Sequence, residues 1–347
     1  MGSSYGQERM TTQRIVVTGA TGFVGGALAR HLVATRPWTQ VVGLGRDPAR
    51  GRALQAQGIE FVAIDLTDEG AVHRALRGAD IVVHSAALSS PWGRRADFVA
   101  ANIDATDHVV AACIARQVRR LVHISTPGIY HDGRPHLDIR EDHPLPAQAV
   151  NDYVATKLIA ERRVFERCAA GGVSALALRP RAIFGPGDTA ILPRLAQALR
   201  SGRLRRIGRE DCRVDLTYID NVVDAIVSAI DASWRLSGRV YNISNGEPVA
   251  IWDVIDRLAD ALSLSRPTRR MSKPLALAVA SGVEAWYRRF SPDREPPLLR
   301  YGIELLSVDM TLDIGRARSE LGYRPRATME DALAKTLGEL ARAQARR

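Results

Sequence analysis

Lysine is nearly missing from this chain of 347 residues: only Lys157, Lys273 and Lys335 occur among 48 basic residues, leaving 45 arginines. Cysteine is scarce and odd in number. Cys113, Cys168 and Cys212 lie far apart with no CxxC pair, which excludes a disulfide scaffold and points to a reducing, cytoplasmic setting. Aromatic residues make up only 5%. No run of about 18 apolar residues occurs, so no segment reads as a membrane span. The longest apolar stretch, Leu275–Trp286, is interrupted by Glu284 and flanked by Arg269, Arg270, Lys273, Arg288 and Arg289. It fits either a buried helix of a second lobe or an apolar lid or membrane-surface helix beside a substrate mouth. No basic-then-apolar leader opens the chain. Residues 1–9 read as a cloning remnant ahead of Met10, the expected natural start.

What is present is ordinary for a folded protein, 46% hydrophobic and 25% charged, which excludes a disordered chain. The net charge of +10 favours acidic small ligands through long-range attraction. The arginines, however, are spread over the whole chain beside Asp and Glu, without the clustered basic and aromatic pattern of a nucleic-acid binder. The arginine excess therefore reads as genome bias. The lysine scarcity is more informative, because a lysine in a catalytic spacing is then hard to dismiss.

Short runs of Val, Ile and Leu punctuate the first half: Arg14–Thr18, Gln40–Leu44, Ile59–Ile64, Asp80–His84, Leu121–Ser125 and Ala175–Leu178. Helical stretches such as Phe23–Ala34 and Val99–Arg116 separate them, and Asp47-Pro48 is a helix start with a capping Asp before Pro. Strands without apolar–polar alternation indicate a parallel sheet covered on both faces, and hence a doubly wound α/β (Rossmann) fold. Residues 12–180 and 213–244 are expected to form the dinucleotide-binding domain, and 181–212 and 245–343 a smaller mixed substrate lobe.

Directly after the first run comes Thr18-Gly19-Ala20-Thr21-Gly22-Phe23-Val24-Gly25-Gly26, a GxxGxxG turn between strand and helix. Glycines at these positions let backbone N–H groups approach a pyrophosphate at a helix N-terminus. Gly19, Thr21, Gly22, Phe23, Val24 and Gly25 are the candidate contacts. An NAD-binding chain commonly carries an acid about 20 residues further on, for the ribose 2′-hydroxyl. Here Arg46 ends Gly43-Leu44-Gly45-Arg46 with no acid before it, which suits the 2′-phosphate of NADP, with NAD as the alternative.

Tyr153 and Lys157 are four residues apart and share one helix face. A phenol beside an ammonium has its pKa lowered, which suits proton transfer to an oxygen. Ser125-Thr126, at the end of an upstream strand, offers hydroxyls to hold a substrate carbonyl while a nicotinamide moves a hydride.

With these features in order, the chain resembles the extended short-chain dehydrogenase/reductases over nearly all of residues 12–340. The resemblance rests on the glycine turn, Asp65-Leu66, His84-Ser85-Ala86-Ala87, Ser125-Thr126, Tyr153 with Lys157, and Arg179-Pro180-Arg181-Ala182-Ile183-Phe184-Gly185-Pro186-Gly187. It implies that Tyr153 is the general acid/base, that Lys157 binds the nicotinamide ribose and lowers the Tyr153 pKa, and that Thr126 holds the substrate oxygen, with Ser125 as the fallback. It also implies that Asp65, Leu66, Ala86, Ala87, Asn102, Pro180 and Ile183 line the cofactor. The family's dehydratases carry Asp-Glu after that Thr, whereas this chain has Pro127-Gly128. Its epimerases carry a diphosphate-binding Arg where Val214 aligns here, although a shift of one residue would bring Arg213 to that place. The wording around Ser125-Thr126-Pro127, Val214–Asn221 and Asn242–Pro248 is similar to the 3β-hydroxysteroid dehydrogenase group, and most like its bacterial 2-alkyl-3-oxoalkanoate reductases.

The resemblance implies a homodimer through Val99–Arg116 and Tyr153–Cys168. Ser89, Trp92 and Arg181 are candidates for the substrate side. His131, His136 and His143 match no zinc spacing, so no metal is expected. The expected activity is NADPH-dependent reduction of a 3-oxo group on an apolar, acidic substrate such as a long-chain 3-oxo acid, with no nucleic-acid partner and possible contact with a membrane surface. The rivals are a 3β-hydroxysteroid or sterol dehydrogenase, a nucleotide-sugar epimerase, and a non-catalytic dinucleotide-binding sensor.

Overall fold

The computed structural model describes residues 13–345, so the expectation about residues 1–9 lies outside it. The apolar runs become strands β1 (Gln13–Thr18), β2 (Thr39–Gly45), β3 (Glu60–Ala63), β4 (Ile81–His84), β5 (Arg120–Ile124) and β6 (Ser174–Pro180), and a later run supplies β7 (Val240–Ile243). All seven run parallel, in the order β7-β6-β5-β4-β1-β2-β3. The missing alternation has a direct cause. Ile15 and Val17 of β1 point into one core with Val83, while Val16 points into the opposite core with Val82, so every position is apolar.

Helices α1 (Phe23–Thr35) and α5 (Ile219–Asp231) cover the first face through Leu28, Leu32, Val222 and Ile226. Helices α3 (Arg95–Ala115) and α4 (Asp152–Ala170) cover the second through Val109, Val110, Val164 and Cys168. Between them in sequence, α2 (Pro48–Gln55) starts as the Asp47-Pro48 signal predicts, the Asp47 carboxylate accepting from Ala49 N at 2.9 Å and Arg50 N at 3.1 Å.

Helix α3 departs from the sequence expectation. By length and composition it is apolar enough to cross a membrane, with mean hydropathy 1.3 over its most apolar stretch, yet half of that stretch is buried inside the protein. Its apolarity serves the core beneath the sheet. Within it, Val99–Asp104 widens into a π-helical turn, a feature frequent at functional sites.

A second, four-stranded sheet joins Val249–Ala250, Arg213–Val214, Met310–Leu312 and His136–Ile139 in that order. His136–Ile139 thus leaves the first segment of the chain to pair with its last third. The Tyr218–Asn221 and Asn242–Asn245 segments are clamps: Asn221 and Asn245 bond to each other at 2.9 Å, and both donate to Ala327 O. Helix α6 (Lys273–Phe290) buries fully only Ala276 and Ala280, which excludes the buried-helix reading of its sequence.

Candidate active site

The sheet order reverses between β1 and β4, and ligands of such sheets bind in the crevice beyond the strand ends at that point. The turn after β1 is packed against the turn after β4. Gly19 has φ +68°, and a Cβ there would lie 2.8 Å from Ala86 Cα. A Cβ at Gly25 would lie 2.5 Å from Gly19 O, so only glycine allows α1 to begin this close to the turn. The N-terminus of α1 has no capping side chain and no acid in its first turn, leaving its N–H groups free for an anion. These features fit a dinucleotide pyrophosphate. Arg46 follows β2 directly and lies close enough to Asp65 to help hold that carboxyl low, although the Thr67 N–H has the larger effect. Arg50, which the sequence reading passed over, sits at the same corner and donates to Thr21 O at 3.3 Å.

Helix α4 is capped by Asn151, which accepts from Val154 N at 2.9 Å, and it places Tyr153, Lys157 and Glu161 on successive turns of one face. Lys157 is buried. Its Nζ donates to Ile124 O at 2.6 Å and to His123 Nε2 at 3.2 Å, at the end of β5. Burial, with the Lys157 charge adding to it, holds His123 well below its ordinary pKa, so the ring is neutral and Nε2 accepts. The matching proton on His123 Nδ1 finds no partner among the described residues. Burial pushes the Lys157 amine down to about 8, against an opposing pull from Glu161.

Tyr153 departs from expectation. Burial raises its phenol, and the downward pulls come from the hydroxyls of Ser89 and Thr126 rather than from Lys157, whose ammonium is engaged by Ile124 O and His123. Thr126 caps the turn Pro127–Tyr130 by accepting from Gly128 N at 3.1 Å. A methyl group at Gly128 would lie 3.3 Å from the Thr126 hydroxyl and 3.6 Å from that of Tyr301, so Tyr301, from the far end of the chain, closes over the same spot. The Ser125 hydroxyl is buried and has no partner among the described residues. A protonated phenol, two hydroxyls beside it and a buried ammonium one turn away can hand a proton to a carbonyl oxygen.

Beneath this lies a buried ion pair. Arg179 Nε donates to Glu161 Oε2 at 3.0 Å, its NH2 to the other carboxylate oxygen and its NH1 to Tyr130 Oη, which donates to Asn242 Oδ1 at 3.1 Å.

Residues 15–244 match the NAD dependent epimerase/dehydratase family. The chain belongs to that family. It is 35% identical to a 2-alkyl-3-oxoalkanoate reductase of Stenotrophomonas maltophilia, covering 92% of this chain and 97% of that protein. It is 33% identical to one of Shewanella oneidensis, covering 93% and 85%. The fold is that of the UDP-glucuronic acid 4-epimerase of Bacillus cereus, solved in complex with NAD, with a TM-score of 0.74 at 23% identity over 96% of this chain and all of that one. The protein is an NAD(P)-dependent oxidoreductase of the extended short-chain dehydrogenase/reductase type.

Within that family frame, the remaining predicted residues take distinct places. Asn102, on the π turn of α3, accepts from Leu88 N at 2.7 Å and donates to Thr156 Oγ1 at 3.0 Å, so it ties the loop after Ala86-Ala87 to α4. The Leu66 carbonyl meets His108 Nδ1 at 3.0 Å. Phe23 and Val24 pack, partly buried, against a second hydrophobic cluster that includes Phe184, Tyr218 and Trp252. Pro180 ends β6, and Ile183 pairs with Thr217 beyond it. Trp92 donates to Pro292 O at 3.0 Å, fastening two surface segments. Arg181 is buried, and its Nε has no partner among the described residues. Val214 faces the core, and Arg213 is exposed and donates to Pro248 O at 3.2 Å. Of the three histidines in one loop, His131 meets Glu304 at 2.8 Å and His136 meets Asp132 at 3.0 Å. The unforeseen members of the site are His123, Glu161, Tyr301 and Arg50. Glu161 was visible in principle as the next turn after Lys157; Tyr301 had no local signal.

Proposed function

We propose that this protein is an NADPH-dependent ketoreductase that reduces the 3-oxo group of an apolar substrate such as a long-chain 3-oxo acid. The observation that carries this reading is the Tyr153 phenol, kept protonated by burial and flanked by the Ser89 and Thr126 hydroxyls. Thr126 orients the substrate carbonyl oxygen. Tyr153 Oη passes its proton to that oxygen as the carbonyl carbon is reduced, and the two hydroxyls stabilise the phenolate left behind. A reduced nicotinamide, when bound, supplies the hydride. The turn from Gly19 to Gly25 would hold its pyrophosphate, Lys157 its ribose, and Arg46 with Arg50 a 2′-phosphate. The names of the two bacterial relatives support the 3-oxo acid, and Pro127-Gly128 in place of Asp-Glu speaks against dehydration.

A raised phenol pKa favours reduction at neutral pH and makes the reverse oxidation accelerate with rising pH. Because Lys157 loses its proton near 8, affinity for the reduced cofactor is expected to fall above that pH, which fluorescence titration across pH checks. Arg46→Asp is expected to lower the NADPH-to-NADH ratio of kcat/KM by about tenfold or more, the worth of one charge-assisted phosphate contact. An unchanged ratio would dismiss the NADPH preference. A panel of 3-oxo acids, 3-ketosteroids and sugar nucleotides, scored by NADPH oxidation, tests the substrate class; turnover confined to sugar nucleotides would overturn it.

A further inference from the structure

We propose that α6 is a membrane-surface anchor whose exposed apolar stripe beds into the headgroup boundary of an anionic lipid bilayer. Four large hydrophobic residues of this 18-residue helix are exposed: Leu275 at 54%, Val279 at 43%, Trp286 at 53% and Phe290 at 63%. Their spacing places all four on one side, while Ala276 and Ala280 are the small residues turned toward the protein. Trp286 meets Tyr287 edge-on and Phe290 at a tilt, ring centroids 5.1 and 5.6 Å away, which gathers aromatic surface at the C-terminal end of the helix. Aromatic rings of this kind settle at the boundary between headgroups and acyl chains.

Charge selects the occupant. On the helix and in the segment that follows it stand the exposed Arg288, Arg289, Arg294 and Arg300 against Glu284, Asp293 and Glu295. The three carboxylates are already engaged: Glu284 accepts from Arg300 N, Asp293 pairs with Arg94, and Glu295 pairs with Arg194. Arg289 lies over the Phe290 ring, 5.2 Å from its centroid, beside the stripe itself. A second copy docked here would bring two such positive patches together, whereas anionic headgroups neutralise them. The homodimer implied by family resemblance runs along α3 and α4, not α6.

The anchor is also tied to the candidate active site. Trp92 donates to Pro292 O, Arg94 pairs with Asp293, and the Arg288 guanidinium lies 4.7 Å from the centroid of the Trp92 ring. These contacts bind the end of α6 to the segment that carries Ser89, one of the hydroxyls that pull the Tyr153 phenol down. A docked molecule would turn that segment toward the membrane, where apolar substrates concentrate.

The test is co-sedimentation of the full chain with vesicles of phosphatidylcholine alone and of phosphatidylcholine mixed with phosphatidylglycerol. Binding to the mixed vesicles is expected, weakening with added salt and falling by about tenfold in the Trp286→Ser/Phe290→Ser double variant. Trp38→Ser, an exposed tryptophan elsewhere, should bind as the wild type does. Thermal unfolding of each variant checks that the fold is intact. Absence of binding to the mixed vesicles at low salt would overturn the proposal, as would binding that survives the double substitution. So would sedimentation equilibrium showing a wild-type dimer that the double variant dissolves, since the stripe would then belong to a second copy. None of these outcomes depends on which ketone is reduced.

Discussion

Replacing Tyr153 by phenylalanine is expected to lower kcat/KM for ketone reduction by about 10²- to 10⁴-fold, the range for loss of a positioned general acid. The substitution removes only the phenol oxygen, so α4 and the buried Lys157 below it should keep their places. Cofactor affinity, read by quenching of NADPH fluorescence, should therefore stay within about twofold of the wild type, because the Gly19–Gly25 turn and Lys157 do not depend on that oxygen. Thr126→Val should share part of the kinetic loss, since it removes one of the two hydroxyls that pull the phenol down. Turnover by Tyr153→Phe close to wild type would show that the proton comes from elsewhere.

Breaking the ion pair beneath the site is expected to be the most damaging change to stability. Glu161 and Arg179 have only 5% and 7% of their side chains exposed, so a neutral residue at 161 leaves a buried guanidinium without its counter-charge. The cost of such a break is about 3–5 kcal/mol. Chemical denaturation of Glu161→Gln measures it, and a loss below about 1 kcal/mol would show that Tyr130 and solvent suffice for Arg179. The same variant carries a kinetic signature that a purely structural role does not predict. The Glu161 charge supports the Lys157 ammonium, so its removal should move the Lys157 pKa below about 8 and bring the loss of cofactor affinity to lower pH.

Much of the sheet was legible in the sequence because its strands are buried on both faces. Ile15, Val16 and Val17 leave an unbroken apolar signature that no amphipathic helix shares. The cofactor turn was legible because its demands are local: a positive φ at Gly19 and no room for a Cβ at Gly25. The Tyr153–Lys157 spacing was legible for the same reason, helix geometry being a short-range rule, and the lysine scarcity made it conspicuous.

The second sheet was poorly legible. Its strands Arg213–Val214 and Val249–Ala250 are two residues long, too short to show a period, and the pairing of Met310–Leu312 with His136–Ile139 spans about half of the chain. The extra members of the site share that character. His123 looks from the sequence like any strand residue until Lys157 arrives from 34 positions away. Tyr301 reaches Gly128 only because the last third of the chain folds back over the sheet. The direction of the Tyr153 shift is not legible in spacing for a related reason: spacing puts an ammonium on the same helix face as the phenol, but burial raises the phenol, and Ile124 O and His123, both from β5, engage that ammonium.

The sequence alone thus determined the class of fold, the dinucleotide turn and the pair at the centre of the site, because each depends on neighbours a few residues apart. The protonation state of Tyr153, the ion pair that supports Lys157 and the exposed face of α6 were decided only by tertiary structure, because burial and charge at one point sum over groups that the chain brings together from its whole length.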